Sequence, residues 1–329
     1  MVAFLGPADF RETVYAFQTS RIILTAYELE LFTCLDGQWK SSAECSKQCE
    51  AHPRAMDRLM NALVACGLLE KRDSLFRNTD FASQYLVKGK EDYLATYGHT
   101  LNMWQTWSRL TDAVREGKPV SRPEKNNEDW TRNFIAAMHD RARHQADRVV
   151  ELIRPADGIK VLDVGGGSGV YAMAFVRAGE NITARVFDLP EVIAETRSYL
   201  KTAGLEHRIS TISGNYHEDD FGQGYDLVFL SAIVHINSDE ENEALIIKCA
   251  RSLKPGGYVV IQDHLMEEDR TAPLAGAYFA LNMLVATQRG DTYTESEMRR
   301  WYKNAGLEGI RIIPTQNNAL VIGQTPSAP

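Results

Sequence analysis

The sequence predicts an α/β chain in which a doubly wound parallel sheet follows a mainly α-helical, winged-helix module. Three observations carry that reading. Val161 to Val164 is a short apolar run that enters Gly165, Gly166, Gly167 and Gly169 and then an amphipathic stretch from Tyr171 to Ala178, as a buried parallel strand turning sharply into a helix would. Beyond this turn, strand-like and helix-like runs alternate down to a closing hairpin. Ahead of it come helix, turn, helix and a polar ribbon, the order of a winged helix.

Taken in order, the apolar residues from Phe10 to Leu35 recur at mixed helical spacing, which predicts a helix with partners on both faces. SSAECSKQCEA and HPRAMDRLMNALVACGLLEK give two further helices. Ser41 or Ser42 can cap the first, and Met56, Leu59, Met60, Leu63 and Val64 stripe the second, which Gly67 closes. RDSLFRNT reads as the ribbon, so residues 1–90 form the winged-helix domain and 91–329 the sheet domain. Two long bridging helices, Tyr93 to Gly117 and Asn127 to Ile153, flank the connector KPVSRPEKNN. Trp104, Trp107 and Leu110 share a face of the first; Trp130, Phe134 and Met138 share a face of the second, with Phe134 and Met138 able to line an apolar pocket. Strands follow at Ala184–Asp188, Arg208–Ile212, Tyr225–Leu230 and Tyr258–Asp263, with helices at Glu191–Ala203 and Asp239–Leu253 between them. Helices Ala277–Gln288 and Glu295–Asn304 and a hairpin of Arg311–Ile313 with Ala319–Ile322 complete a Rossmann-like sheet.

Composition narrows the function. The 329 residues are 44% hydrophobic and 24% charged with a net charge of -8, the balance of a soluble globular protein and a poor match for nucleic acid. Residues 1–90 carry 11 Lys plus Arg against 11 Asp plus Glu, so the winged helix has no positive excess to neutralise phosphates, and self-association is its better use. No apolar run reaches the roughly 18 residues of a membrane span and the first residues lack a secretory pattern, which predicts a cytoplasmic protein with no membrane partner. Five cysteines suit a reducing compartment. Cys45, Cys49 and His52 lack a fourth ligand nearby, so helix packing is expected there and no metal.

Ligands of doubly wound sheets sit past the C-terminal ends of the strands, and the chemistry-bearing residues fall there. The glycine turn lets a ligand approach backbone amides, but it is not G-x-G-x-x-G: counted from Gly165, the sixth position is Val170, which points away from NAD. Asp188 ends the second strand, where it can accept from ribose hydroxyls; Asn215 and Tyr216 follow the third; His235 follows the fourth; Asp263 ends the fifth.

D-V-G-G-G-S-G, F-D-L-P and V-H-x-x-S-D-E before L-K-P-G-G, behind a winged-helix module, together resemble the class I S-adenosylmethionine-dependent small-molecule O-methyltransferases of the plant caffeate and bacterial antibiotic-pathway type. The resemblance implies a homodimer joined through the N-terminal domain. It implies a cofactor site of Asp163, Gly165, Gly167, Gly169, Asp188, Leu189, Asn215, Tyr216 and Ser231, with S-adenosylhomocysteine as product. His235 matches the family's general base and Asp263 the carboxylate that orients it; Asn282 and Met283 match residues lining the acceptor pocket. The chain departs from the pattern in four places: Asn215 for Asp, Ser231 for a basic residue, Ile236-Asn237 for Asp-Trp, and Thr292 where a second Glu should fall. The missing second Glu and the altered residues after His235 keep C-methylation, or a non-methylating reaction on the same fold, as the alternative; a ligand-sensing DNA-binding regulator is a third reading. The expected reaction moves a methyl group to a hydroxyl of a small aromatic or polyketide-like acceptor.

Overall fold

In the computed structural model, the described residues are 6–94, 96–120, 128–316 and 318–327. The connector residues 121–127 and the Trp130 side chain lie outside them. The chain forms two compact units, Met1–Met103 and Trp104–Pro329.

In the first unit the continuous helix expected from Phe10 to Leu35 is three: α1 (Pro7–Tyr15), α2 (Phe17–Glu28) and α3 (Leu31–Cys34). Glu30 takes a left-handed φ of 51°, and the bend it makes sends Leu31, Phe32 and Leu35 into the core at full burial. A straight helix would have left those three on a face it could not cover. Among the described residues α1 buries no side chain, and Val14 and Phe17 are 51% and 52% exposed. Strand β1 (Lys40–Ser41) precedes α4 (Ser42–Gln48), which Ser41 and Glu44 start with a reciprocal capping box. Helix α5 (Pro53–Ala65) lays Met56, Met60 and Leu63 into the same core. β2 (Leu69–Arg72) and β3 (Leu75–Asn78) pair antiparallel, β3 lies between β1 and β2, and α6 (Asp80–Tyr85) follows.

The two expected bridging helices are each interrupted. The first becomes α7 (Thr96–Trp107) and α8 (Leu110–Glu116), with Arg109 out of helical geometry at φ -105° and Gly117 closing α8 in the left-handed region. The second becomes α9 (Glu128–Arg143) and α10 (Ala146–Ile153), broken at Gln145 with φ -124°. Ala146, Val149, Val150 and Ile153 lie at i, i+3, i+4 and i+7 of α10 and are buried together on one face.

Seven strands make the main sheet: β4 (Lys160–Val164), β5 (Thr183–Asp188), β6 (Ile209–Ser213), β7 (Tyr225–Ser231), β8 (Leu253–Asp263), β11 (Glu308–Pro314) and β12 (Ala319–Gln324), in the order β11-β12-β8-β7-β4-β5-β6. All pairs are parallel except those made by β12 with β8 and β11. Strand β8 starts five residues ahead of the expected Tyr258 because Leu253 already pairs with Tyr225. Helices α10 and α11 (Val170–Arg177) cover one face, and α13 (Asp239–Ser252) and α15 (Glu295–Asn304) the other, over apolar cores that include Phe175 and Phe229 on the first side and Phe187 and Trp301 on the second. Helix α12 (Pro190–Ala203) links β5 to β6. β9 (Leu265–Met266) pairs in parallel with β10 (Tyr293–Thr294), and between them α14 (Leu274–Ala286) begins three residues before the expected Ala277. Strand β4 has β5 on one side and β7 on the other, so the order reverses there and opens a crevice past the ends of β4 and β7.

Candidate active site

The glycine turn occupies the mouth of that crevice. Gly165, Gly167 and Gly169 have φ of 66°, 57° and 76°, a region L-residues enter at a cost. Gly166 is required for another reason: a Cβ there would stand 2.7 Å from the Asp163 carboxyl carbon and 2.9 Å from Val186 Cγ1. The turn is held by Gly165 N–H on Phe187 O at 2.7 Å and by the Thr196 hydroxyl on Gly167 O at 2.6 Å.

Asp163 beneath the turn is 1% exposed and accepts from the Ala172 N–H at 3.2 Å. Burial, with the charge of Asp188 adding to it, pushes this carboxyl up to about 7. A buried carboxylate with lone pairs to spare is the acceptor an ammonium-bearing ligand needs, and the N–H groups of the turn can donate to that ligand's own carboxylate. Asp188 is engaged by the protein itself, accepting from Gly167 N–H and from Leu189 N–H, both at 2.8 Å, and burial still raises its carboxyl. Each of its oxygens keeps a lone pair for hydroxyl donors. Leu189 is 42% exposed at the rim, an apolar side chain available to a ligand. The Asn215 side-chain oxygen accepts from His217 N–H at 3.0 Å, so this residue shapes its own turn as well. Tyr216 donates its hydroxyl to Asn237 Oδ1 at 2.9 Å, and burial pushes its phenol up to about 12. Ser231 donates to Gln262 Oε1 at 3.2 Å.

His235 sits in a one-turn 3-10 helix, Val234–Ile236, just past β7, where Ala232 turns the chain with a φ of 58°. Its Nδ1 lies 2.8 and 2.9 Å from the two oxygens of Asp263, which is 3% exposed. Burial opposes the Asp263 charge, but the His235 ring and the His264 N–H outweigh it and hold the carboxyl below its ordinary value. An ionised carboxylate only accepts, so Nδ1 carries the proton and Nε2 presents its lone pair. Phe279 of α14 meets the His235 ring edge-on at 4.8 Å and the His264 ring at 4.3 Å. On the same helix Asn282 accepts from the Trp107 indole N–H at 3.0 Å, and Met283 is buried. Thr292 is buried with its hydroxyl directed at Gly276 O, 3.5 Å away, and among the described residues Asp263 is the one carboxylate bonded to His235.

Phe134 and Met138 are half-buried one turn apart on α9. The adjacent stripe of α9 faces the glycine turn: Ile135 Cδ1 is 3.8 Å from the place of a Cβ on Gly167, and His139 Nδ1 is 2.8 Å from Ser168 Oγ.

Four residues that support the site carry no sequence signal of their own. Asn237 stands where a Trp was expected and instead ties the turn together: it accepts from Tyr216, donates to Asn242 at 3.1 Å, and its carbonyl accepts from the Tyr293 hydroxyl at 2.5 Å. Gly290 passes close against the His235 carbonyl, which also accepts from Asp291 N–H at 3.1 Å. His139 and His264 read as ordinary helix and loop residues until the fold places them. The Ser that opens the S-D-E run, by contrast, has a structural use: Ser238 and Glu241, the residue after the run, form the capping box of α13.

Residues 107–308 match the O-methyltransferase domain family and residues 12–88 the O-methyltransferase dimerisation domain. The chain is 30% identical to the 3-hydroxy-5-methyl-1-naphthoate 3-O-methyltransferase of Streptomyces sahachiroi over 302 residues, 89% of this chain and 87% of that one. It is 28% identical to the tetracenomycin polyketide synthesis 8-O-methyl transferase of Streptomyces glaucescens, over 98% of this chain and 97% of the relative. An O-methyltransferase family protein from Burkholderia thailandensis superimposes with a TM-score of 0.86 at 25% identity, covering 99% of this chain and all of its own. Among the described residues no helix is long and apolar enough to cross a membrane. On these grounds the chain belongs to the S-adenosylmethionine-dependent O-methyltransferase family and is an enzyme of that kind.

Proposed function

We propose that this enzyme methylates a hydroxyl of a small aromatic or polyketide-like acceptor, with His235 as general base. The observation that carries the reading is the buried His235–Asp263 pair, with Nδ1 within 2.9 Å of both carboxylate oxygens and Nε2 left as a base. S-adenosylmethionine, when bound, supplies a methyl group made electrophilic by its sulfonium. Asp163 and the amides around Gly165, Gly167 and Gly169 hold its amino-acid end, Asp188 its ribose, and Leu189, Asn215, Tyr216 and Ser231 the remainder. A phenol of pKa near ~10 must lose its proton as its oxygen attacks, and His235 Nε2 takes that proton while ionised Asp263 stabilises the resulting imidazolium. Phe134, Met138, Asn282 and Met283 would orient the acceptor ring, whose positioning is worth up to about 7–11 kcal/mol. The naphthoate and polyketide acceptors named for the two Streptomyces relatives support an aromatic acceptor here.

The exposed apolar face of α1 and the match to the dimerisation domain support a homodimer joined through residues 1–90. The enzymatic reading is tested by His235→Ala, with methyl transfer to a panel of hydroxyarenes followed by mass spectrometry. Loss of turnover with cofactor binding retained supports it; unchanged turnover refutes His235 as base.

A further inference from the structure

Strand β8 ends beside His235 with two buried nitrogens that have no hydrogen-bond partner among the described residues: Gln262 Nε2 and His264 Nδ1. Gln262 is 1% exposed and His264 7%. A buried polar group without a partner costs free energy, and two at one strand end call for a common explanation. Alternation along the strand points Gln262 to the side opposite Asp263, which faces His235, and His264 follows directly past the strand end with its ring against Phe279.

The chemistry of each group is defined. Ser231 donates to Gln262 Oε1, and the side-chain amide also interacts with the Tyr171 hydroxyl, which leaves the Nε2 end that neighbour in place of a bond of ordinary length. His264 is held neutral near pH 7: burial, together with His235 and Arg141, outweighs Asp263 and keeps its ring below the ordinary imidazole value. Both therefore can donate to an oxygen without carrying charge. Phe279 stands edge-on to the His235 ring and tilted over the His264 ring, so one aromatic side chain reaches both imidazoles.

We propose that Gln262 and His264 are specificity-determining residues that bind a second oxygen of the acceptor, and that the natural acceptor is a hydroxyarene bearing a carbonyl or carboxylate oxygen near the methylated hydroxyl. This rests on the aromatic O-methylation proposed above, and it makes two predictions of its own. The wild-type enzyme prefers a hydroxynaphthoate, hydroxyl beside carboxylate, to the naphthol lacking the carboxylate, by roughly tenfold to a hundredfold in kcat/KM, the penalty for leaving buried donors unpaired. Gln262→Met and His264→Phe each lower that ratio severalfold or more, and His264→Asn, whose amide nitrogen falls near the place of Nδ1, restores it in part.

The ratio cancels any loss of stability or turnover common to both acceptors. Calorimetry of the same two compounds on enzyme loaded with S-adenosylhomocysteine repeats the comparison without chemistry. A preference present in the wild type and reduced in both variants, in either measurement, supports the proposal. Equal preference in wild type and variants overturns it and leaves the two side chains a purely structural role. The binding preference together with absent methyl transfer would support this inference while sinking the reaction on which it was framed.

Discussion

Asp163 shows what a single residue contributes. An unfolded aspartate titrates near 3.8, and burial raises this one to about 7. Between those values the folded state holds a proton that the unfolded state has lost, so stability falls as pH rises from about 4 to 7. On the cofactor site proposed above, binding of the ammonium by Asp163 runs the other way, because it needs the carboxylate. Affinity for S-adenosylhomocysteine is therefore expected to rise with pH, about tenfold per unit below 7, and to level off above. Calorimetry across pH 6–8 checks this; a flat profile would show that Asp163 does not face the ammonium. The other decisive residue is His235. Removing this proposed base is expected to lower kcat by about 10²–10⁴, and Asp263→Asn by a comparable factor because an amide no longer fixes the Nδ1–H tautomer. Rapid-quench measurement of the methyl-transfer step checks both. Asp263→Asn at full speed would remove Asp263 from the mechanism.

At the scale of elements, two glycines set where the site residues stand. Gly166→Ala drives a methyl into the Asp163 carboxylate and Val186, so it is expected to destabilise by about 1–3 kcal/mol and to weaken cofactor binding. Gly290→Ala crowds the His235 carbonyl and Thr287 Oγ1 and should depress kcat through displacement of the His235 turn. Thermal melts with and without S-adenosylhomocysteine separate the two: Gly166→Ala loses the ligand-induced shift and Gly290→Ala keeps it. If both variants keep the shift, the steric account of Gly166 is wrong. Such packing is invisible in sequence. The glycine-rich strand-turn-helix of β4 and α11 was legible because strand period, glycine run and helix period coincide. The interruptions at Glu30, Arg109 and Gln145 were not legible, because no Pro or Gly marks them and burial of neighbouring apolar residues decided them.

At the scale of the whole molecule, α1 stands without buried residues, an apolar face rich enough to need a partner. Val14→Asp with Phe17→Asp is expected to convert a dimer to a monomer in light scattering; an unchanged mass would place the dimer contact elsewhere.

What the amino-acid order determined alone was the doubly wound sheet and the strand ends at which Asp163, Asp188, His235 and Asp263 fall, since hydrophobic period and glycine placement are local properties of the chain. Tertiary structure decided that the Asp263 carboxylate meets the His235 ring, that Asn237 braces the turn in place of the expected Trp, and that Gln262 and His264 end buried with nitrogens unpaired. Those are meetings of residues far apart in the chain, or of side chains with no periodic signature. The packing of β8 against β7 and α14 brings about the meetings at Asp263, Gln262 and His264, and Tyr216, Asn242 and Tyr293 supply those of Asn237.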